Sequence, residues 1–181
     1  GSDEFTMTVN DADGADVTQT YTVNVSGADD APTLAAVSAG SVAEVDRSAS
    51  TTDVGLTGTL VAADVDGETL SYGIAGGMVA AGVSSRVGTY GTLSVDTGTG
   101  AYSYVKNAAA IEALDETEAG SDVFTMTVND GDGPDVMQTY TVNVSGADDA
   151  PTLGAVSAGS VAEIDQSAST TDIGLTGALV A

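Results

Sequence analysis

The chain has 181 residues, with 27 Asp and Glu against three Lys and Arg, no His, Cys or Trp, and a formal net charge of −24 at pH 7. Three cations (Arg47, Arg86 and Lys106) cannot neutralise a phosphate backbone, so nucleic-acid binding is excluded; an anionic membrane surface would repel the chain, and no run approaches the ~20 apolar residues of a spanning helix. Without His or Cys there is no imidazole base, thiol nucleophile, customary zinc or haem ligand, or disulfide. High net charge alone would suggest disorder, but 42% of residues are hydrophobic and mean hydropathy is +0.14. The composition therefore describes a folded chain whose self-repulsion is relieved by a bound divalent cation.

In chain order, the first feature is a repeat. The stretch from Gly1 to Ala62 recurs from Gly120 to Ala181, a period of 119 residues, with differences only at positions 4, 12, 15, 18, 35, 45, 47, 54 and 59. Such identity points to recent duplication within a long tandem array, and the chain is expected to be a fragment that starts and stops in mid-repeat. Residues 1–31 are read as the closing strands of a preceding unit. Ala28-Asp29-Asp30-Ala31-Pro32-Thr33 forms a short, stiff linker, repeated as Ala147-Asp148-Asp149-Ala150-Pro151-Thr152. A complete unit spans 32–150, and 151–181 are the opening strands of the next.

Within the complete unit the pattern has period two. A first strand ends at Glu44 and Asp46. Leu56, Gly58, Leu60 and Ala62 form a second alternating set, and Leu70, Tyr72 and Ile74 a third. Leu93-Ser94-Val95 and Tyr102-Ser103-Tyr104 flank a Gly-containing hairpin connection. Residues 107–118 alone look briefly helical. Phe124, Met126 and Val128, then Tyr140, Val142 and Val144, give the closing strands, and most of the eight aromatic residues are read as core. About seven short strands separated by Gly and Asp turns predict an all-β fold, an antiparallel β-sandwich in tandem repeat.

The acidic residues gather in the connections, and alternating strand directions sort them by end. Asp64, Asp66, Asp130 and Asp132 fall near the incoming linker with Asp29 and Asp30. Glu44, Asp115 and Glu116 fall at the opposite pole, near Asp148 and Asp149. Carboxylates at such density repel one another unless a cation intervenes. Oxygen-only ligands, Asp-x-Asp spacing and Gly-permitted turns suit Ca²⁺ better than Mg²⁺, although neither an EF-hand order nor a GGxGxD roll is present. These eleven residues are the candidate metal ligands.

Tyr90-Gly-Thr-Leu-Ser-Val95, Gly100-Ala-Tyr-Ser-Tyr104, Phe124-Thr-Met-Thr-Val-Asn-Asp130-Gly-Asp132-Gly and Val144-Ser-Gly-Ala-Asp-Asp-Ala-Pro151 together resemble the VCBS repeat of large bacterial surface proteins, including RTX adhesins. The resemblance implies a cadherin-like or Ig-like sandwich. It also implies an extracellular extender on the bacterial cell surface that is stiffened by Ca²⁺ between neighbouring repeats of one polypeptide and projects a distal binding domain. Leu114-Asp115 resembles the cadherin Leu-Asp-x-Glu turn, with Thr117 at the Glu position, and Asp148-Asp149-Ala150-Pro151 resembles Asp-Asn-Ala-Pro with Asp149 for Asn. Asp64 and Asp66 resemble the Asp-x-Asp after the second strand, and Glu44 the first-strand Glu.

Two other classes are open. A carbohydrate- or ice-binding module acting directly in attachment needs a presented aromatic face or Thr ladder. A glycosidase needs paired carboxylates in a walled cleft, which exposed turn tips do not supply, so no enzymatic activity is expected. Because 1–31 and 151–181 are closing and opening parts of one unit type, head-to-tail self-association of the chain is a further expectation.

Overall fold

The computed structural model describes residues 1–149, 151, 153–166 and 168–179. The predicted boundary at Ala150 and the linker residue Thr152 lie outside the described residues. The central region carries twelve strands among the described residues: β3 (Thr33–Leu34), β4 (Gly40–Val45), β5 (Ser48–Val54), β6 (Thr57–Thr59), β7 (Ala62–Ala63), β8 (Ser71–Ile74), β9 (Met78–Ala80), β10 (Val83–Val87), β11 (Gly91–Asp96), β12 (Ala101–Lys106), β13 (Ala119–Asn129) and β14 (Val136–Ser145). One five-stranded sheet has the order β5-β4-β14-β13-β8 and the other β6-β12-β11-β10-β9. Hairpins β1–β2 (Ser2–Val9, Val17–Asn24) and β15–β16 (Ser160–Glu163, Thr170–Ile173) flank them.

The period-two pattern is realised where it is strongest. Phe124, Met126, Val128, Tyr140, Val142 and Val144 point inward from β13 and β14 and meet Leu93, Val95 and Tyr104 from the second sheet in one core. Tyr104 stands edge-on to Phe124 with ring centroids 6.1 Å apart, and Tyr102 lies 5.3 Å from Tyr140, so aromatic pairs join the two sheets. Ser84 in β10 is fully buried, and its hydroxyl accepts the Ile74 amide of β8, a polar tie between sheets.

The all-β sandwich is as predicted, and its details differ from expectation in three respects. About seven strands become twelve, because β5, β9 and β10 carry no clear apolar alternation, and the set from Leu56 to Ala62 breaks into β6, paired with β12, and β7, paired with β3. The sandwich is not wholly antiparallel: β4 runs parallel to β14, with Val142 opposite Gly40 and Val144 opposite Val42. The helical stretch shrinks to one turn, α1 (Ala108–Ile111), held by buried Ile111. As expected, most of the aromatic residues are core: Tyr104, Phe124 and Tyr140 are buried, and Tyr72, Tyr90 and Tyr102 pack against them.

Asp122 is the charged residue on the core face of β13, 5% exposed among Phe124, Met126 and Val128. Its carboxylate accepts the Thr89 and Tyr90 amides at 2.7 and 2.9 Å and the Tyr104 hydroxyl at 2.6 Å. The group thereby fastens the β10–β11 turn and β12 to β13. Burial, then the Asp122 hydrogen bond and charge, raise the Tyr104 hydroxyl well above its ordinary value of 10.0, so the phenol stays a donor. Asp122→Ala would leave three donors unpaired. It is expected to lower unfolding stability by about 3 kcal/mol, measured by urea denaturation at pH 7; a loss within error of zero would contradict the role.

Candidate metal centres

The register of the sheets places the acidic connections at two ends. Ser71 of β8 pairs with Asn129 at the close of β13, so the 64–68 loop lies beside the 130–135 loop. At the other end of the β13–β14 hairpin, Ala119 faces Ser145, and parallel pairing sets Ala43 opposite Ser145. Glu44 therefore reaches the chain leaving β14.

At the first end two trios of carboxylates form, each with one oxygen per residue within 4.8 Å of the others: Asp64, Glu68 and Asp130, and Asp29, Glu68 and Asp132. Local hydrogen bonds explain why these side chains converge. Asp64 Oδ1 accepts the Glu68 amide and Asp130 Oδ1 the Asp132 amide; each is a carboxylate-closed turn that fixes one oxygen and directs the other away. Gly67, at φ +77°, makes the first loop possible. The incoming linker is pinned to this end by the Asp30 amide, which donates to Asp66 Oδ2 at 2.8 Å.

At the second end Glu44, Glu112 and Asp149 form the third trio. Glu44 is 7% exposed; its Oε2 accepts the Ala147 amide at 3.0 Å, tying the outgoing linker to β4. A Cβ on Gly146 would sit 2.6 Å from the Asp115 carbonyl and from Leu114 Cβ, so the linker leaves through a gap that only Gly fits.

Four buried oxygens in these trios have no hydrogen-bond partner: Glu44 Oε1, Asp64 Oδ2, Glu68 Oε2 and Asp130 Oδ2. Such atoms are rare in folded proteins because their desolvation is uncompensated. An oxygen-seeking cation fits this donor set: hard anionic groups from separate loops, three of which, on Glu44, Asp64 and Asp130, are oriented by a hydrogen bond to the other oxygen of the same carboxylate. The cations of the chain are engaged elsewhere. Lys106 pairs with Asp53 at 2.6 Å on the flank of the sandwich, Arg86 donates to the Ala75 carbonyl, and the exposed Arg47 side chain lies 4.0 Å from Asp46.

Of the eleven candidate ligands, the structure brings six into trios: Asp29, Glu44, Asp64, Asp130, Asp132 and Asp149. Asp66 and Asp30 bond to each other instead. Asp148 presents its carbonyl to the Arg47 amide. Asp115 and Glu116 do not join the second trio, because Asp115 Oδ1 accepts the Glu116 amide while Glu118 Oε2 accepts that of Asp115, a self-contained acidic turn. Sequence reasoning left out two members of the trios, Glu68 and Glu112. Glu68 closes the Asp-x-Asp-Gly turn and its position was a usable signal; Glu112 directly follows Ile111, whose burial turns it to the linker.

Partial desolvation, then the charges of Asp130 and Asp132, raise the Asp29 carboxyl above its ordinary 3.8. Desolvation followed by Asp29 and Asp132 raises Glu68 above 4.5, and desolvation followed by Glu44 and Asp149 raises Glu112. By contrast, Asp53 is lowered: partial burial alone would raise it, and hydrogen bonds from Lys106 and Thr51 outweigh that.

The fold and these loops define a β-sandwich module with an acidic linker at each end. The model of the bacterial cadherin-like domain matches residues 29–146, and the chain belongs to that family, one of non-enzymatic, extracellular adhesion-type structural modules. No curated protein matches the chain. Among the described residues no helix is long and apolar enough to cross a membrane.

Because Asp29, Glu68 and Glu112 hold protons more tightly folded than unfolded, their stability contribution is full below the unfolded values of 3.8 and 4.5. It is lost as pH rises through the folded values. In chelator the melting temperature is expected to fall between pH 4.5 and neutrality. Thermal melts across that range check it, and a temperature rising throughout would contradict the repulsion.

Proposed function

We propose that the chain is a calcium-dependent structural extender of a bacterial surface adhesin, of the VCBS type found in RTX adhesins. The observation that carries the reading is the set of four buried, unpartnered carboxylate oxygens at the linker ends of the sandwich. Ca²⁺ accepts six to eight oxygens with flexible geometry. Asp64, Glu68 and Asp130, with Asp29 and Asp132, would hold it at the first end, Glu68 being common to both trios. Glu44, Glu112 and Asp149 would hold it at the second. The ion supplies charge neutralisation and a cross-link between linker and loops.

A comparison between the two linkers supports a role at junctions. By the 119-residue period Asp29 corresponds to Asp148 and Asp30 to Asp149. At the start of the unit the first aspartate of the pair joins a trio; at its end the second does. One Asp-Asp linker therefore has a carboxylate for each neighbour, and calcium on both sides would replace a hinge with a braced joint. In a cell interior poor in calcium the uncompensated ends disfavour folding and suit export; outside, binding to the native state adds stability by mass action. A tandem, stiffened array of this kind spaces a distal ligand-binding domain from the surface.

A site at roughly hundredfold excess of calcium over its Kd adds about 2.7 kcal/mol, which is several degrees in a domain of this size. Calorimetric melts in calcium and in chelator are expected to show at least that rise; equal temperatures would refute calcium binding. Glu68→Gln should act in opposite directions, raising the melting temperature in chelator by removing a repelling charge and cutting most of the calcium-induced rise. Glu44→Gln should remove a smaller share, since Glu44 belongs to one trio.

A further inference from the structure

The entering and leaving segments of the sandwich lie side by side and run the same way. In the β4–β14 seam Gly40, Ser41, Val42 and Ala43 pair in parallel with Val142, Asn143, Val144 and Ser145. Before β4, the entering chain already keeps beside β14, where the Gln138 side chain donates to the Leu34 carbonyl of β3 at 3.2 Å. After Ser145, the leaving chain stays strapped to the end of β4. Glu44 Oε2 accepts the Ala147 amide, and the Asp148 carbonyl accepts the Arg47 amide at 2.8 Å. Contact between the two segments thus extends from one acidic end of the sandwich towards the other.

That direction decides what tension at the linkers does to the seam. Pulled from Ala31, β4 is drawn towards the first end; pulled from Asp148, β14 is drawn towards the second. The two strands are driven past each other along their own axes. Hydrogen bonds of a parallel pair bridge the strands at even spacing, so sliding loads all of them at once and none opens ahead of the rest. Strands loaded from the same end would instead part bond by bond. Packing resists the slide as well, because Val42, Val142 and Val144 are at most 2% exposed within the core. β3 contributes a smaller patch, two residue pairs with β7.

We propose that the β4–β14 seam is the mechanical latch of the unit: it carries tension between the two linkers in shear, and its opening is the step that releases the sandwich under load. The tension itself rests on the extender reading above, whereas the response of the seam follows from its direction alone. The third trio sits at the leaving end of the latch, with Glu44 on β4 and Asp149 beyond β14. Calcium held there would tie the two strands together once more, so the ion that braces the junction would also raise the force the unit withstands.

Single-molecule pulling on the full chain tests this, first in chelator. The sequence contains no cysteine, so introduced pairs choose the direction of load. Ala31→Cys with Asp148→Cys pulls the seam in shear; Asp46→Cys with Asp148→Cys pulls the same seam open from one end, all three sites being exposed. Matching melting temperatures establish that both variants keep the fold. A higher rupture force is expected in the first geometry at equal pulling speed; equal forces, or a higher force in the second, would overturn the proposal. Repeating the first geometry in calcium separates the two readings. A further rise that Glu44→Gln removes is expected; no rise would count against calcium at this end, and the comparison in chelator decides the seam either way.

Discussion

Repulsion among carboxylates with no cation beside them is the constraint that organises this molecule. Three positive side chains serve 27 acidic ones, and none of the three reaches the trios at the ends of the sandwich. Elsewhere acidic groups are accommodated singly. Asp53 takes Lys106, Asp96 accepts hydrogen bonds from Thr99 and Gly98 that hold its carboxyl low, and Asp115 closes its own turn. At the ends the charges are held together by the strands that deliver them. The fold thus stores electrostatic strain where the chain enters and leaves.

The core is what makes that arrangement tenable. β13 and β14 run the length of the sandwich, and their inward residues are largely apolar; Gln138 donates to the Leu34 carbonyl, and Asp122 takes three donors from the opposite sheet and the turn that joins its strands. The tie fixes β13 relative to β12, and β13 in turn carries Asp130 and Asp132 at its far end. Near its start, the β4–β14 seam brings Glu44 against the outgoing linker. Each terminal trio is therefore tied to the same pair of central strands, which run from one linker to the other.

Much of this was legible in the sequence because alternation over β13 and β14 is unambiguous and the repeat marks the linkers. Asp122 shares the parity of Phe124 and Met126 and so announces a buried acid, though nothing in the sequence names Tyr104 as its partner. The parallel β4–β14 contact was not legible, since alternation specifies which face a residue takes and not which strand lies beside it. β5, with the sequence SASTTDV, is polar and largely exposed, leaving no hydrophobic signature. Membership of the trios was not legible where short-range bonding competes: Asp115 and Glu116 sit in the right region, but their turn satisfies itself.

The account rests on a cation completing the terminal trios. Anomalous difference density from crystals grown in calcium tests this most directly. Peaks are expected at Glu68, shared with Asp64 and Asp130 or with Asp29 and Asp132, and at Glu44 beside Asp149, with the unpartnered oxygens turned to them. Ordered carboxylates at both ends with no peak between them would contradict it.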